Sequence, residues 1–126
     1  MDIILQAGIS KKSFELNYNG GTIWCEHLDA MGSYEDEVIG KFLNDKASFS
    51  RPSVSSSIII NLDKTDITEK MIDTIVSIFA ESKKRFRKIA FVGVGKRYRR
   101  KFMSIQESGC VIKFFEDYEK AKEWVI

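Results

Sequence analysis

The chain has 126 residues, 44% of them hydrophobic and 30% charged, and a formal net charge of +2. That length suits one domain able to bury roughly two-thirds of its unfolded surface, and the composition excludes a disordered or fibrous chain. No apolar run approaches the roughly 20 residues of a membrane span, and two distant cysteines, Cys25 and Cys110, exclude a disulfide framework.

In chain order, Asp2 to Leu5 is a weakly marked strand. Met1 to Gln6 lacks the basic leader and long apolar run of a signal peptide, so a cytoplasmic location with reduced thiols is expected. From Ser13 to Tyr18, Phe14, Leu16 and Tyr18 alternate with Glu15 and Asn17. With Asn19-Gly20-Gly21 and the run Thr22 to Leu28, this predicts a β-hairpin. Ser33 with Asp36 is a helix-start pattern, and Val38, Ile39, Phe42 and Leu43 continue it at helical spacing over 33–47. Ser48 to Ser57, which holds the one proline, Pro52, predicts a loop.

Ser57 to Leu62 is β-branched, as expected of a strand buried on both faces. Ile67, Met71, Ile72, Ile75, Val76 and Phe79 then form a 3.6-residue stripe, predicting a helix over 67–82. Ile89 to Val94 is a second buried strand ended by Gly93 and Gly95. Tyr98, Phe102 and Ile105 mark the inner face of a helix over 96–108, stopped at Gly109. Cys110 to Phe115 is a further strand, and Asp117 caps a last helix bearing Tyr118, Ala121, Trp124 and Val125. The expected fold is α/β: an N-terminal hairpin joined to a mainly parallel sheet, flanked by about four helices, with residues 1–126 forming one domain.

Four segments of this layout are similar to a known family. Arg87-Lys88-Ile89-Ala90-Phe91-Val92-Gly93 resembles the penultimate strand of the SpoIIAA-like proteins, members of the STAS group of anti-sigma factor antagonist folds. Val111-Ile112-Lys113-Phe114-Phe115-Glu116-Asp117 and the following Tyr118 to Val125 resemble that group's ending: an aromatic strand, an acidic cap, an alanine and a tryptophan. Ser33 to Leu43 resembles its first helix, and Ile58-Ile59-Ile60-Asn61-Leu62-Asp63 its central strand. The resemblance implies a non-enzymatic regulatory module that binds another protein. It also implies a phosphorylation switch at the start of the helix after the central strand, where Thr68 is the nearest positional match and Thr65 the second. The run from Asp63 to Glu69 lacks the Asp-Ser-Ser/Thr-Gly sequence of the phosphorylated antagonists. Asp63, Asp66 and Glu69 would belong to the partner surface. The same residues read equally as caps: Asp66 with Glu69 as a capping box, Thr68 as an N-cap with Ile67 and Ile72 as a staple.

Charge is unevenly placed. Between Lys83 and Lys101 lie ten basic residues and no acid. Within that stretch Gly93, Gly95, Lys96, Arg97, Arg99 and Arg100 stand at a strand-to-helix turn, where free N–H groups and the helix dipole favour an anion. The segment is neither a Walker A loop nor a Gly-x-Gly-x-x-Gly fingerprint, and a solvated basic surface explains it without a ligand. Cys25 and His27 share a strand face, but without Cys-x-x-Cys or a second histidine they mark neither a metal site nor a nucleophile.

Three readings of function follow. The first is the interaction module, with no cofactor, no metal and no membrane insertion, and with self-association open. The second is a carrier or sensor of a small anionic or amphipathic, lipid-like ligand, which needs a deep apolar pocket. The third, ranked lower, is nucleic-acid binding through residues 83–101, which lack a helix-turn-helix, RRM or KH signature.

Overall fold

The structure is a computed structural model that describes residues 12–18, 21–30, 32–51, 56–82 and 84–126. The strand expected at Asp2–Leu5 lies outside these residues, as do Pro52 and its neighbours 53–55.

Five strands form one sheet: β1 (Phe14–Tyr18), β2 (Gly21–His27), β3 (Ser57–Asn61), β4 (Lys88–Val92) and β5 (Val111–Phe115), neighbours in that order. β1 runs antiparallel to β2, with Phe14 opposite Cys25 and Tyr18 opposite Gly21. The other three pairings are parallel, giving the hairpin plus parallel sheet expected from the alternating and the β-branched runs. Each parallel connection advances one strand in the same direction. A right-handed crossover repeated this way lays every connecting helix on one face. The helices α1 (Glu35–Phe49), α2 (Glu69–Glu81) and α3 (Lys96–Met103) accordingly share a core with Trp24, Ile58, Ile60, Ile89, Phe91 and Ile112. The last helix, α4 (Tyr118–Val125), follows the edge strand and doubles back over the opposite face. There Ala121 and Val125 pack on Ile23, Cys25, Ile59, Ala90 and Val92. β3 lies between the two cores and all five of its residues are buried.

Boundaries depart from expectation where tertiary contacts compete with local signals. Ser33 does not cap α1. Tyr34 stands at the cap position without a side-chain bond, and the Ser33 hydroxyl instead donates to Asp66 Oδ2 at 2.5 Å. α1 runs on to Phe49 because that ring is buried in an aromatic cluster with Trp24, Phe42, Phe79 and Phe86. α2 begins at Glu69, not Ile67, because Thr68 is its cap and accepts from the Met71 N–H at 3.2 Å. The capping box of Asp66 with Glu69 is not formed: Asp66 is held by Ser33, and Glu69 pairs with Lys101 of α3. The expected 96–108 helix is α-helical to Met103 and then tightens into a 3₁₀ turn, Ser104–Ser108, closed by Gly109 at φ +94°. Asp117 caps α4 as expected, accepting from Glu119 N at 2.9 Å.

One glycine is obligatory by both conformation and space. Gly93 follows β4 at φ +80°, and a Cβ there would stand 2.6 Å from Asp63 Cα and 2.8 Å from Asp63 N. Backbone cannot yield as a flexible side chain can. Gly93→Ala is therefore expected to cost about 2–3 kcal/mol, from left-handed strain plus the displaced loop, read as a lower urea midpoint. A midpoint within error of wild type would show that the 62–63 backbone is free to retreat.

Candidate functional site

Four parallel strands end on the same edge of the sheet, so the loops after β2, β3, β4 and β5 come together there. In open α/β sheets this carboxyl edge is where ligands and partners meet the backbone. Both segments singled out in the sequence, 63–69 and 93–100, lie on it, and they touch through Gly93 and Asp63.

In the loop after β3, Asp63 and Lys64 turn outward, Lys64 at φ +61°. Thr65 turns inward. Its hydroxyl accepts from the Ala30 N–H at 2.7 Å and donates to the Leu28 carbonyl at 2.8 Å, and the residue is 8% exposed. With the bridge from Gly32 to Thr65 and the bond from Asp66 N to Gly32 O at 3.0 Å, it joins the β2 and β3 loops into one unit. The Thr65 hydroxyl is thus not presented as a surface switch, because both of its hydrogen-bonding directions are used in the interior. Thr68 is half-buried. Besides accepting from Met71, its hydroxyl donates to the Glu35 carboxylate at the start of α1. Glu69 meets Lys101, and Lys70 lies 3.8 Å from Asp36, both of the latter exposed.

Around the glycine turn are two shallow clefts that share Gly93 and Gly95. One, of about 300 Å³, is lined by Thr65, Asp66, Ile67 and Tyr98. The other, of about 280 Å³, is lined by Asp63, Val94, Lys96, Arg99 and Glu116. Two carboxylates therefore share the second cleft with two cations, so its charge is mixed and not purely anion-attracting. Arg99 is further committed: its Nε donates to the Val94 carbonyl at 3.0 Å, and the guanidinium lies over the Phe114 ring. Arg97 stacks on Tyr98, while Lys96 and Arg100 are exposed.

The basic stretch 83–101 is not one surface. β4 divides it, leaving Lys84, Arg85 and Arg87 at the amino edge and Lys96 to Lys101 at the carboxyl edge. Lys88 and Val92, the ends of β4, are roughly 13 Å apart, four steps of about 3.3 Å. Several of the cations are occupied within the fold: Lys84 donates to the carbonyls of Phe49 and Arg51, and Lys88 to that of Trp124. Burial correspondingly pushes the Lys84 ammonium below its ordinary range. A third cleft, of about 280 Å³, opens at this amino edge beside Phe79, Arg85 and Phe86.

Cys25 and His27 do share a face, under α4. Cys25 is fully buried, and desolvation pushes its thiol up, against smaller opposing effects of Tyr118 and Lys122. A buried neutral thiol is a packing group. His27 is packed by the rings of Phe14 and Tyr118, with Nδ1 3.3 Å from Asp29. Neither cysteine forms a disulfide among the described residues, and both are buried. Among the described residues, no helix is long and apolar enough to cross a membrane.

Sequence reasoning missed that Ser33, Glu35 and Lys101 are the partners of Asp66, Thr68 and Glu69, because each pair is more than thirty residues apart in the chain. It also passed over Glu26, a fully buried acid inside β2. The available signal was an acid in the middle of a run, Ile23 to Leu28, whose other members are apolar or packed.

No family model matches this sequence, and neither does any curated protein. Among solved structures, an uncharacterised protein of the DUF3478 family from Shewanella loihica PV-4, described as having a SpoIIAA-like fold, is similar to this chain. The two superpose with a TM-score of 0.58 at 17% sequence identity, over 91% of this chain and 93% of that one. At that identity the likeness establishes architecture: this chain has a SpoIIAA-like fold.

The inward role of Thr65 makes a quantitative prediction. Thr65→Val keeps the shape but strips partners from the buried Ala30 N–H and Leu28 carbonyl, at a cost of about 2–4 kcal/mol. Thr65→Ser retains both bonds and should lose about 1 kcal/mol for the methyl group. Equal destabilisation of the two variants in urea melts would locate the contribution in packing and not in the hydrogen bonds.

Proposed function

We propose that this protein is a non-enzymatic interaction module of the STAS type, and that its protein partner docks on the carboxyl edge around Asp63, Asp66, Thr68 and Glu69. The observation that carries this reading is the meeting of the 63–69 loop with the Gly93–Arg100 turn at one edge, through the contact of Gly93 with Asp63. Together they present exposed groups of both signs over shallow clefts (Asp63, Asp66 and Glu69 beside Lys96 and Arg100), a relief suited to another protein surface. The SpoIIAA-like fold supports the same reading. Regulation would act at Thr68, whose hydroxyl is half-buried at the N-terminus of α2 and not enclosed like that of Thr65. A phosphate there gains from the free N–H groups and the dipole. It also breaks the bond to Glu35 and repels Glu35, Asp66 and Glu69, which would push the start of α1 away from α2 and reshape the docking edge.

A photo-crosslinking amino acid in place of Asp66, compared with one in place of the exposed Lys120 on α4, tests the surface in extracts of the native cell. A single adduct of defined mass from position 66, absent from position 120 and lost with Asp63→Lys, is the expected result. Equal labelling from both positions would overturn the docking surface. For the switch, Thr68→Ala should cost about 1 kcal/mol as a lost cap while keeping the adduct. Thr68→Asp, which retains a capping oxygen, should melt closer to wild type and yet lose the adduct. If Thr68→Asp keeps the adduct, the threonine is a cap and nothing more.

A further inference from the structure

We propose that Glu26 of β2 and Asp45 of α1 hold one proton between them, and that α1 stays seated on the sheet only while that proton is present. This is independent of what docks at the carboxyl edge.

The geometry is a closed cluster between one strand and one helix. Glu26 is fully buried, and its Oε1 accepts from the indole N–H of Trp24 at 2.8 Å. Its Oε2 meets no donor among the described residues. The Lys41–Asp45 pair is brought beside Glu26 because Lys41 also donates to the Ser13 hydroxyl, which accepts the His27 N–H of the same strand at 2.9 Å. Two carboxylates share one site only if one carries the proton and donates it to the other. Asp45 has its own cation: Lys41, one turn earlier on α1, is 3.0 Å from Asp45 Oδ2. With Glu26 neutral, the charges of Lys41 and Asp45 cancel and the cluster is balanced. Loss of the proton to solvent leaves two negative charges facing one positive charge, with the Glu26 carboxylate fully buried, a state that interiors resist.

The groups facing Glu26 account for the direction of its titration. Burial pushes the carboxyl well above the ordinary range, and the neighbouring Asp45 adds to this. Lys41 and the Trp24 N–H oppose it. Of the neighbouring strands, β3 supplies only Ile58 and Ile60 to this face. On β1 the residue opposite Trp24 is the exposed Glu15. Stability from the held proton is therefore fully present at acid pH and is lost as pH rises through the raised value. Asp45 lies on the same helix whose first residue, Glu35, accepts the Thr68 hydroxyl, so unseating α1 also reaches the carboxyl edge.

Trp24 reports on this proton directly. With the other tryptophan removed by Trp124→Phe, Trp24 fluorescence followed from pH 5 upward should show one transition above the ordinary carboxylate range. Over the same interval, hydrogen-exchange protection of α1 amides, corrected for the intrinsic rate, should fall by about tenfold or more. Glu26→Gln, which keeps the Trp24 contact and offers its amide to Asp45, should abolish both changes and melt above wild type on the alkaline side. Asp45→Asn should move the midpoint down toward the ordinary range, which keeps the test informative if Glu26→Gln folds poorly. A flat Trp24 profile, a transition that survives Glu26→Gln, or a transition with α1 protection unchanged would each overturn the proposal.

Discussion

Repetition of one handed connection organises this molecule. Each crossover from β2 to β5 advances by a single strand, so α1, α2 and α3 are confined to one face, and the opposite face would stand open but for α4. Two consequences follow from that asymmetry. The three-helix face holds the larger core, including the aromatic cluster of Phe42, Phe49, Phe79 and Phe86. The other face rests on a single helix of eight residues, with Ala121 and Val125 as its buried contacts. β3 supports both layers, which is why all five of its residues are buried.

The same strand direction gathers the loops, and a few polar side chains bind those loops to one another. Thr65 ties the β3 loop to the β2 loop from inside. Ser33 with Asp66, and Glu35 with Thr68, tie the start of α1 to the approach of α2, while Glu69 with Lys101 ties α2 to α3. The exposed pairs in this set contribute little individually. The buried Thr65 contacts matter more, because they satisfy backbone groups that no water can reach. A modification at Thr68 would therefore act on a surface whose parts are already coupled, and a local change of charge would be felt at α1 as well as α2.

Polar chemistry inside the helical face is sparse and concentrated at Glu26, Asp45 and Lys41. A buried acid next to another acid lowers stability unless a proton or a cation balances it, and here both are present. The mixed charge of the carboxyl edge and this balanced cluster obey the same rule at different depths. At the surface, water screens whatever is left unpaired, whereas in the interior the titration state must adjust.

The periodic patterns of the sequence determine which segments are strands and which are helices, because burial of one face or both imposes those periods. The hairpin, the β-branched strand at Ser57–Asn61, the stripe from Met71 to Phe79 and the cap at Asp117 were legible in this way. So was the resemblance to a SpoIIAA-like fold, carried by the first helix, the central strand, the last two strands and the final helix. The helix starts expected at residues 33 and 67 each fall two residues early, although the Thr68 cap read from the sequence is formed. Ser33 and Asp66 each carry a good local capping signal, but they satisfy one another across 33 residues instead. The basic stretch shows the converse. The described cations of that stretch, close in sequence, become two groups at opposite edges, because a strand passes between them. Chain-local chemistry therefore settled the elements. Which polar groups meet (Thr65 with Leu28 and Ala30, Thr68 with Glu35, Glu26 with Asp45) depended on the register of parallel strands and the seating of helices, and only the tertiary structure decides those.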